Sequence, residues 1–363
     1  MGASRVTCRM LAAGVLLALA AGVAGLRAGN APHAFLTSEF GVSRSDLLEV
    51  GRRRPVGRTL PTADNREVAT LGMVHLRAPA GFYVDQLRDV VAFKRSEAVQ
   101  QIGTFGTPAR LEDVAGLTIP DDQLERLRHC RLHDCNLQLS AAAIDRFSRD
   151  VDWSGRHAAD QANRVMRQVL VDLVNEYRRS GSAALMEYND RREPVAAARA
   201  FESMLADRPV VLQRFPALHR HVLDFPSSRA GGVEDVIYWS REKMGPAVII
   251  TVTHMASGSL ATPAGALAVA SRQLYGSQYF DASLGLTLLI PDSPTSAYLL
   301  YINRSRLDVL GGLLGTLKRP IVRSRTRSAV ADHLVRARDM VERRYAASRS
   351  AATSTEAPTA FRR

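Results

Sequence analysis

The second half of the chain is a series of short apolar runs separated by turn signals. Partial alternation and β-branched residues give these runs strand character. Gly245-Pro246, Pro263 and the segment 291–294 mark the turns between them. The connections are too short for parallel crossovers, so we expect an antiparallel meander. The predicted strands are Val233–Arg241, Ala247–Thr253, Ala264–Ala270 continuing to Tyr279, Leu284–Ile290 and Ala297–Asn303.

A long amphipathic helix is predicted after the meander, over Thr326–Tyr345. Val330, Leu334, Ala337 and Val341 recur at intervals of three and four, which places them on one helix face. That face needs an apolar partner, and the meander is the nearest candidate.

The first part of the chain has a different order. A strand over Val68–Leu76, a helix over Phe82–Phe93 and a strand over Val99–Phe105 are predicted. The segment 51–66 contains Pro55, Pro61 and an Asp-Asn pair, which predict irregular structure with a turn. Residues 108–229 are mostly helical in pattern.

This order of elements resembles the START-like, polyketide cyclase-like superfamily and its helix-grip fold. The resemblance lies in residues 68–106 and in the meander and helix of residues 233–346. It implies an α+β fold in which an antiparallel meander grips the long C-terminal helix, with an apolar cavity between them. Members of this superfamily commonly bind lipids, sterols or polyketides, and some are enzymes. No motif matches, so no functional residue is carried over.

The N-terminus has the three-part layout of a secretory signal peptide. Arg5 and Arg9 form a positive region before an uncharged run at 10–26, and small residues allow cleavage after Ala24 or Ala28. We therefore expect a periplasmic or secreted protein of the bacterial cell envelope. The alternative is an uncleaved inner-membrane anchor, because the apolar run is at the short limit for a span.

Together these patterns divide the chain into predicted segments. We expect a signal peptide at 1–28, an N-terminal lead at 29–66 and a START-like α+β domain formed by 67–107 and 230–347. A large helical insertion at 108–229 interrupts that domain, and a disordered tail follows at 348–363.

The chain is basic, with 48 Lys and Arg against 36 Asp and Glu and a formal charge of +12. This balance favours anionic partners, of which a membrane surface is one candidate. The densest runs are Arg52–Arg54 and the arginines of 319–327, and neither is interleaved with aromatic residues that could stack on bases. No nucleic-acid partner is expected.

Two cysteines, Cys130 and Cys135, remain after removal of the signal segment. In an oxidising compartment two nearby cysteines usually pair, so a disulfide is expected. Free thiols are one alternative. A metal site formed with His129 and His133 is another, although four ligands within seven residues give poor geometry for one tetrahedral ion.

Catalytic and cofactor motifs are absent from the sequence, so no cofactor and no metal are expected and an enzyme is the less favoured class. His254 is the candidate acid or base, on a predicted strand. His219 and His221 lie two apart, on different faces of a predicted helix, and are interpreted as structural or solvated.

Polar and aromatic residues within the predicted strands are the candidates for ligand binding, since a buried charge must be paired with a protein group or with a ligand. As a structural alternative, they form ion pairs across strands: Glu242 with Arg272 or Arg304, and Asp281 with Arg306. The candidate ligand-binding residues are Tyr238, Trp239, Arg241, His254, Arg272, Tyr275, Tyr279, Tyr301 and Arg304.

Three functions follow from these patterns. The first is non-catalytic binding of a lipid-like or other apolar small molecule in a cavity between sheet and helix. The second is an enzyme of cyclase or hydrolase type, in which His254 converges with a carboxylate. The third is a protein-interaction scaffold that docks a partner on the helices of residues 108–229.

Overall fold

The computed structural model describes residues 31–206, 216–228, 231–259, 265–312 and 315–355. Within these residues, eight strands form one antiparallel sheet in the order β1-β2-β10-β9-β8-β7-β6-β3, and β4 and β5 pair separately. The strands are β1 Val56–Leu60, β2 Glu67–Leu76, β3 Val99–Thr104, β4 Glu187–Tyr188, β5 Val195–Ala196, β6 Val233–Met244, β7 Ala247–Ser259, β8 Leu267–Gly276, β9 Phe280–Ser293 and β10 Ser296–Leu307.

The helices lie before, between and after the strands of this sheet. The first, α1, covers residues 31–40. The others are α2 Arg44–Gly51, α3 Ala80–Leu87, α4 Val90–Lys94, α5 Asp121–His129, α6 Ala141–Asp150, α7 Ala158–Ser180, α8 Ala197–Ala206, α9 Pro216–Leu223 and α10 Gly315–Thr355.

Both faces of the sheet are buried along its central strands. Leu288 and Leu289 are neighbours on β9 and therefore point to opposite faces, yet each is 0% exposed. A strand that buries both its faces needs cover on both, and in this chain the cover is helical.

The C-terminal helix α10 covers one face, together with α3 and α4. Val330, Leu334 and Val341 are buried against Val74 and Leu299 of the sheet. The approach is close at Gly72 of β2, where a Cβ atom would lie 2.6 Å from both Val330 Cγ1 and Leu334 Cδ1. The α+β fold predicted from the sequence, a meander against a long C-terminal helix, is confirmed.

The other face is covered by helices from two parts of the chain. Helix α7, which lies between β3 and β6 in the chain, packs its apolar face on Ile250 and Val252 of β7. Towards the β1 edge, α1, α2, α8 and α9 pack on Leu286 and Leu288 of β9. The described helices within residues 108–229 therefore pack in the same core as the sheet.

Three element boundaries differ from those expected. The segment 51–66, predicted to be irregular, contains strand β1, which lies at the sheet edge where flanking prolines cost no ladder bond. The predicted helix 82–93 is two helices, because Asp89 caps a new one by accepting from the Ala92 amide. Helix α10 extends beyond 326–345 at both ends and includes residues 348–355 of the predicted disordered tail.

The predicted disulfide between Cys130 and Cys135 is confirmed. It closes the short turn after α5, where Arg131 and Asp134 form an isolated bridge. The predicted signal peptide at 1–28 lies outside the described residues. Among the helices that are described, none is both long and apolar enough to cross a bilayer.

Gly181 follows α7 and lies against Phe225, in the segment after α9. Its φ is +60°, and a Cβ atom would lie 1.9 Å from the carbonyl oxygen of Phe225. Gly245 has the same φ of +60° with nothing within 4 Å of the corresponding position.

We expect Gly245→Ala to lower the free energy of unfolding by about 1–2 kcal/mol from backbone strain alone. Gly181→Ala should cost about 1–3 kcal/mol more, because the Phe225 carbonyl must move.

Urea denaturation of the two variants measures this difference. Equal losses would mean that the Phe225 backbone yields freely, and that Gly181 does not fix the position of α7 against that segment.

Candidate functional site

A cavity of about 400 Å³ lies between the sheet and α10, and we call it the grip cavity. Its floor is formed by β6 to β10 with one residue of β2, its side by the end of α4 and its roof by α10. The lining residues are Val68, Lys94, Tyr238, Glu242, Met244, Thr251, Thr253, Ser271, Gln273, Phe280, Ser283, Gly285, Tyr301, Asn303, Ser305, Leu307, Thr326, Ala329, Val330 and His333.

The cavity exists because the apolar cover of this face is interrupted. Thr251, Thr253 and Ser271 point to the α10 side of β7 and β8, where Val269 and Met255 further along are packed instead. Small and polar side chains at these positions do not fill the space under the helix. The floor is therefore lined by hydroxyl groups, while Val330, Phe280 and Leu307 supply apolar surface.

An ion pair lies in the cavity wall. Lys94, the last residue of α4, has its Nζ 3.4 Å from Glu242 Oε1 and 5.2 Å from the ring centroid of Tyr238. Burial opposes the charge on Lys94, but Tyr238 and Glu242 outweigh it and raise its pKa. Burial likewise opposes the charge on Glu242, and Lys94 and the Ser240 hydroxyl lower its pKa. Both groups are charged at neutral pH.

Two of the residues singled out in the sequence, Tyr238 and Tyr301, line this cavity. Tyr301 accepts a hydrogen bond from Asn303 Nδ2 at 3.4 Å, and burial raises its pKa. The Tyr301 phenol is therefore neutral at physiological pH. The two tyrosines come from different strands of the floor, Tyr301 from β10 and Tyr238 from β6.

The other candidate residues lie elsewhere. Trp239 and Arg241 alternate with Tyr238 on β6, so they point to the opposite face, where Trp239 Nε1 donates to Asp113 O and Arg241 contacts Thr118. Tyr275 is fully buried in the core beside Tyr188. Tyr279 lies in the turn before β9, and Arg304 is paired with Glu67.

The expected ion pairs are found in part. Arg306 Nη1 lies 3.6 Å from Asp281 Oδ2, as the sequence predicted. The pairing of Glu242 with Arg272 or Arg304 is wrong, because Glu242 faces the grip cavity and both arginines lie on the other face. Lys94 takes their place, and it comes from a helix that precedes the meander by more than a hundred residues.

A second constellation surrounds His254 on the face opposite the cavity. His254 Nε2 and His221 Nε2 lie 2.8 Å and 2.7 Å from the same atom, Asp235 Oδ1. Tyr177 Oη lies 2.9 Å from the other ring nitrogen of His254, and Phe225 packs on that ring at 4.6 Å. Both imidazoles are 1% exposed, whereas the Asp235 side chain is 27% exposed.

The elements explain this convergence. On the paired strands β6 and β7, Ile237 lies opposite His254, so Asp235 is the diagonal neighbour of His254 on one face. Helix α9 places His221 over that pair. Burial alone would raise the pKa of Asp235, but the two histidines lower it. Burial lowers the pKa of His254, and Asp235 opposes that effect.

Sequence patterns missed Lys94, Asp235, Tyr177 and the role of His221. The two-residue spacing of His219 and His221 excludes a site built from both, but it says nothing about either one alone. The sequence did contain one signal for the contact between Asp235 and His254, which is the register of the predicted hairpin. A hairpin over Val233–Thr253 turning at Gly245-Pro246 brings Asp235 close to His254.

Asp281 is another buried ionisable group, with a side chain 1% exposed. Burial, together with the nearby Asp308, raises its pKa to about 6, against the opposing charges of Arg191 and Arg66. A carboxyl whose folded pKa is raised destabilises the fold above that pKa. The penalty disappears as the pH falls through 6 towards its ordinary value of 3.8.

We therefore expect Asp281→Asn to stabilise the protein at pH 8, by at most about 3 kcal/mol for a pKa raised from 3.8 to about 6. The gain should shrink as the pH falls through 6 and vanish near 4. Urea denaturation at these pH values measures it, with Asp145→Asn as the same substitution at an exposed position. A less stable Asp281→Asn at pH 8 would mean that the Arg306 contact outweighs burial.

Comparison with known proteins gives little beyond this geometry. No protein-family model matches the chain, and no curated protein matches it. Among solved structures, the human StarD13 (DLC2) lipid transfer and protein localization domain superposes with a TM-score of 0.33 and 9% identity, over 82% of this chain and 94% of that one. At this TM-score the match says nothing about how the chain functions.

Proposed function

We propose that this chain is an exported cell-envelope protein that binds a lipid-like or other apolar small molecule, without catalysis, in the grip cavity. The observation that carries the proposal is the cavity itself. Its volume of about 400 Å³ lies within the range of small-molecule sites, and it lies between a sheet and a helix while remaining partly open to solvent.

The chemistry of the lining favours an amphipathic ligand. An apolar body would contact Val330, Phe280 and Leu307. A polar end would find donors at Tyr301, Asn303 and the ammonium of Lys94, which Glu242 keeps charged. Polar groups at defined positions of a site fix the orientation of a ligand.

Non-catalytic binding is favoured over an enzyme because the cavity and His254 are on opposite faces of the sheet. The acid–base candidate therefore has no access to a molecule held under α10. Lys94 and Glu242 neutralise each other, and neither has a pKa near neutrality.

A variant that fills the cavity tests the proposal. Ser271 lies on the floor and is half-buried, so Ser271→Phe should occupy the space under α10. Ser348→Phe adds the same side chain at an exposed position of α10 and serves as the matched control. Both proteins would be purified from the periplasm of a bacterial host, extracted with organic solvent and measured by native mass spectrometry.

We expect a stoichiometric small molecule in the wild type and in Ser348→Phe, and at least about tenfold less in Ser271→Phe, since the added ring displaces ligand volume. Circular dichroism checks that the variant is folded. An apo mass for the wild type that also fails to bind a fluorescent fatty acid would sink the proposal. Equal ligand content in the folded Ser271→Phe variant would place the ligand outside the cavity.

Export is tested separately by the intact mass of the protein in the periplasmic fraction. We expect loss of the first 24 or 28 residues, because the small residues at these positions suit signal peptidase. A full-length mass in the membrane fraction would instead establish the N-terminal anchor.

A further inference from the structure

The convergence of His221, Asp235 and His254 is unusual for a buried core. Two imidazoles, each 1% exposed, direct their Nε2 atoms at a single carboxylate oxygen. One ligand atom from each residue can be chosen so that the three lie within 4.8 Å of one another. Three donors from three elements, α9, β6 and β7, therefore surround one point.

We propose that His221, Asp235 and His254 bind a divalent transition-metal ion of the Zn²⁺ class. This departs from the sequence-based expectation of no metal, which rested on the spacing of cysteines and histidines along the chain. The proposed site is independent of ligand binding, because it lies on the opposite face of the sheet from the grip cavity.

The separations suit such an ion after a small adjustment. Bonds of about 2.0–2.2 Å from zinc to nitrogen and oxygen place tetrahedral ligand atoms roughly 3.3 Å apart. The two nitrogen–oxygen separations here are 2.7 and 2.8 Å. Each imidazole needs to retreat from Asp235 Oδ1 by about half an ångström. The three donor atoms lie within 4.8 Å of one another, and the two imidazole nitrogens must also settle roughly 3.3 Å apart.

The surroundings of His254 support a ligand role. A metal-binding histidine usually donates its second ring N–H to an oxygen that fixes the ring. Tyr177 Oη lies 2.9 Å from His254 Nδ1 and can accept that hydrogen, which leaves the Nε2 lone pair available to the ion. The ring is also held by Phe225, so its orientation is set before any ion arrives.

The donor set indicates which ions fit. Two imidazole nitrogens and one carboxylate oxygen suit Zn²⁺, Co²⁺, Ni²⁺ and Fe²⁺, whereas Ca²⁺ and Mg²⁺ require oxygen donors. The exposed side of Asp235 gives the ion a path in from solvent. Three protein ligands leave the fourth coordination position of a tetrahedral ion for water, whereas structural zinc sites have four protein ligands.

The same contacts allow a network without metal. In that arrangement the Tyr177 hydroxyl donates to His254 Nδ1, and both Nε2–H groups donate to Asp235. Metal titration of the untagged mature protein after chelator treatment distinguishes the two. Co²⁺ binding is followed by visible absorption, and Zn²⁺ affinity by competition with a chromophoric chelator.

We expect one equivalent of Co²⁺ per chain, displaced by Zn²⁺. Asp235→Asn keeps the size of the side chain and should weaken binding at least about 100-fold, because the anionic ligand is lost. Tyr177→Phe should weaken it about 10–100-fold by releasing the His254 ring. The control is His75→Gln, which removes another histidine–carboxylate pair, 3.0 Å to Asp292, and should change nothing.

Thermal melting with and without Zn²⁺ checks that the effect belongs to the folded protein. Zn²⁺ should raise the melting temperature of the wild type and His75→Gln but not of Asp235→Asn. A folded wild type that binds no Co²⁺ would establish the metal-free network and overturn the proposal. Binding that survives Asp235→Asn unchanged would assign the ion to the surface. Should that variant not fold, the same comparison is made with Tyr177→Phe.

Discussion

Burial of both faces of one antiparallel sheet is the constraint on which this structure depends. Leu288 and Leu289 of β9, and Leu299 and Leu300 of β10, are all 0% exposed although each pair points in opposite directions. Apolar side chains on both sides must therefore be removed from water. Each Å² of apolar surface buried contributes roughly 25 cal/mol to the stability of the fold. Helix α10 meets that demand on one face, and the helices around α7 and α8 meet it on the other.

The grip cavity is the part of the α10 face where the sheet is not closely packed. Where α10 crosses β7 to β10, hydroxyl and amide side chains replace the large apolar residues that would close the gap. Desolvating Lys94 and Glu242 there costs free energy, which their attraction and the Ser240 hydroxyl offset. Aliphatic side chains in the same wall would avoid that desolvation cost, so the pair is retained at some expense of stability.

The helices on the opposite face do more than cover the sheet. Tyr177 comes from α7 and His221 from α9, and both reach the same small region of β6 and β7. A solely protective layer would place apolar side chains there, as α7 does over Ile250 and Val252. Polar groups that converge under a buried helix must satisfy one another or hold an ion, because water is largely excluded.

The sequence by itself determined the order of most elements, although not strand β1 or the break between α3 and α4. Period-two alternation, short turns and the apolar stripe of α10 are local properties, so the meander and its helix were readable, as was the pairing of Cys130 with Cys135. Which strand face meets which helix was decided by the tertiary structure, since alternation defines two faces without saying what covers each. For that reason Tyr238 and Tyr301 line the cavity. Trp239 and Arg304 lie on the same two strands but point to the other face. Lys94 meets Glu242, and His221 meets His254, only because folding closes long stretches of chain between them, and no local pattern records a contact of that kind.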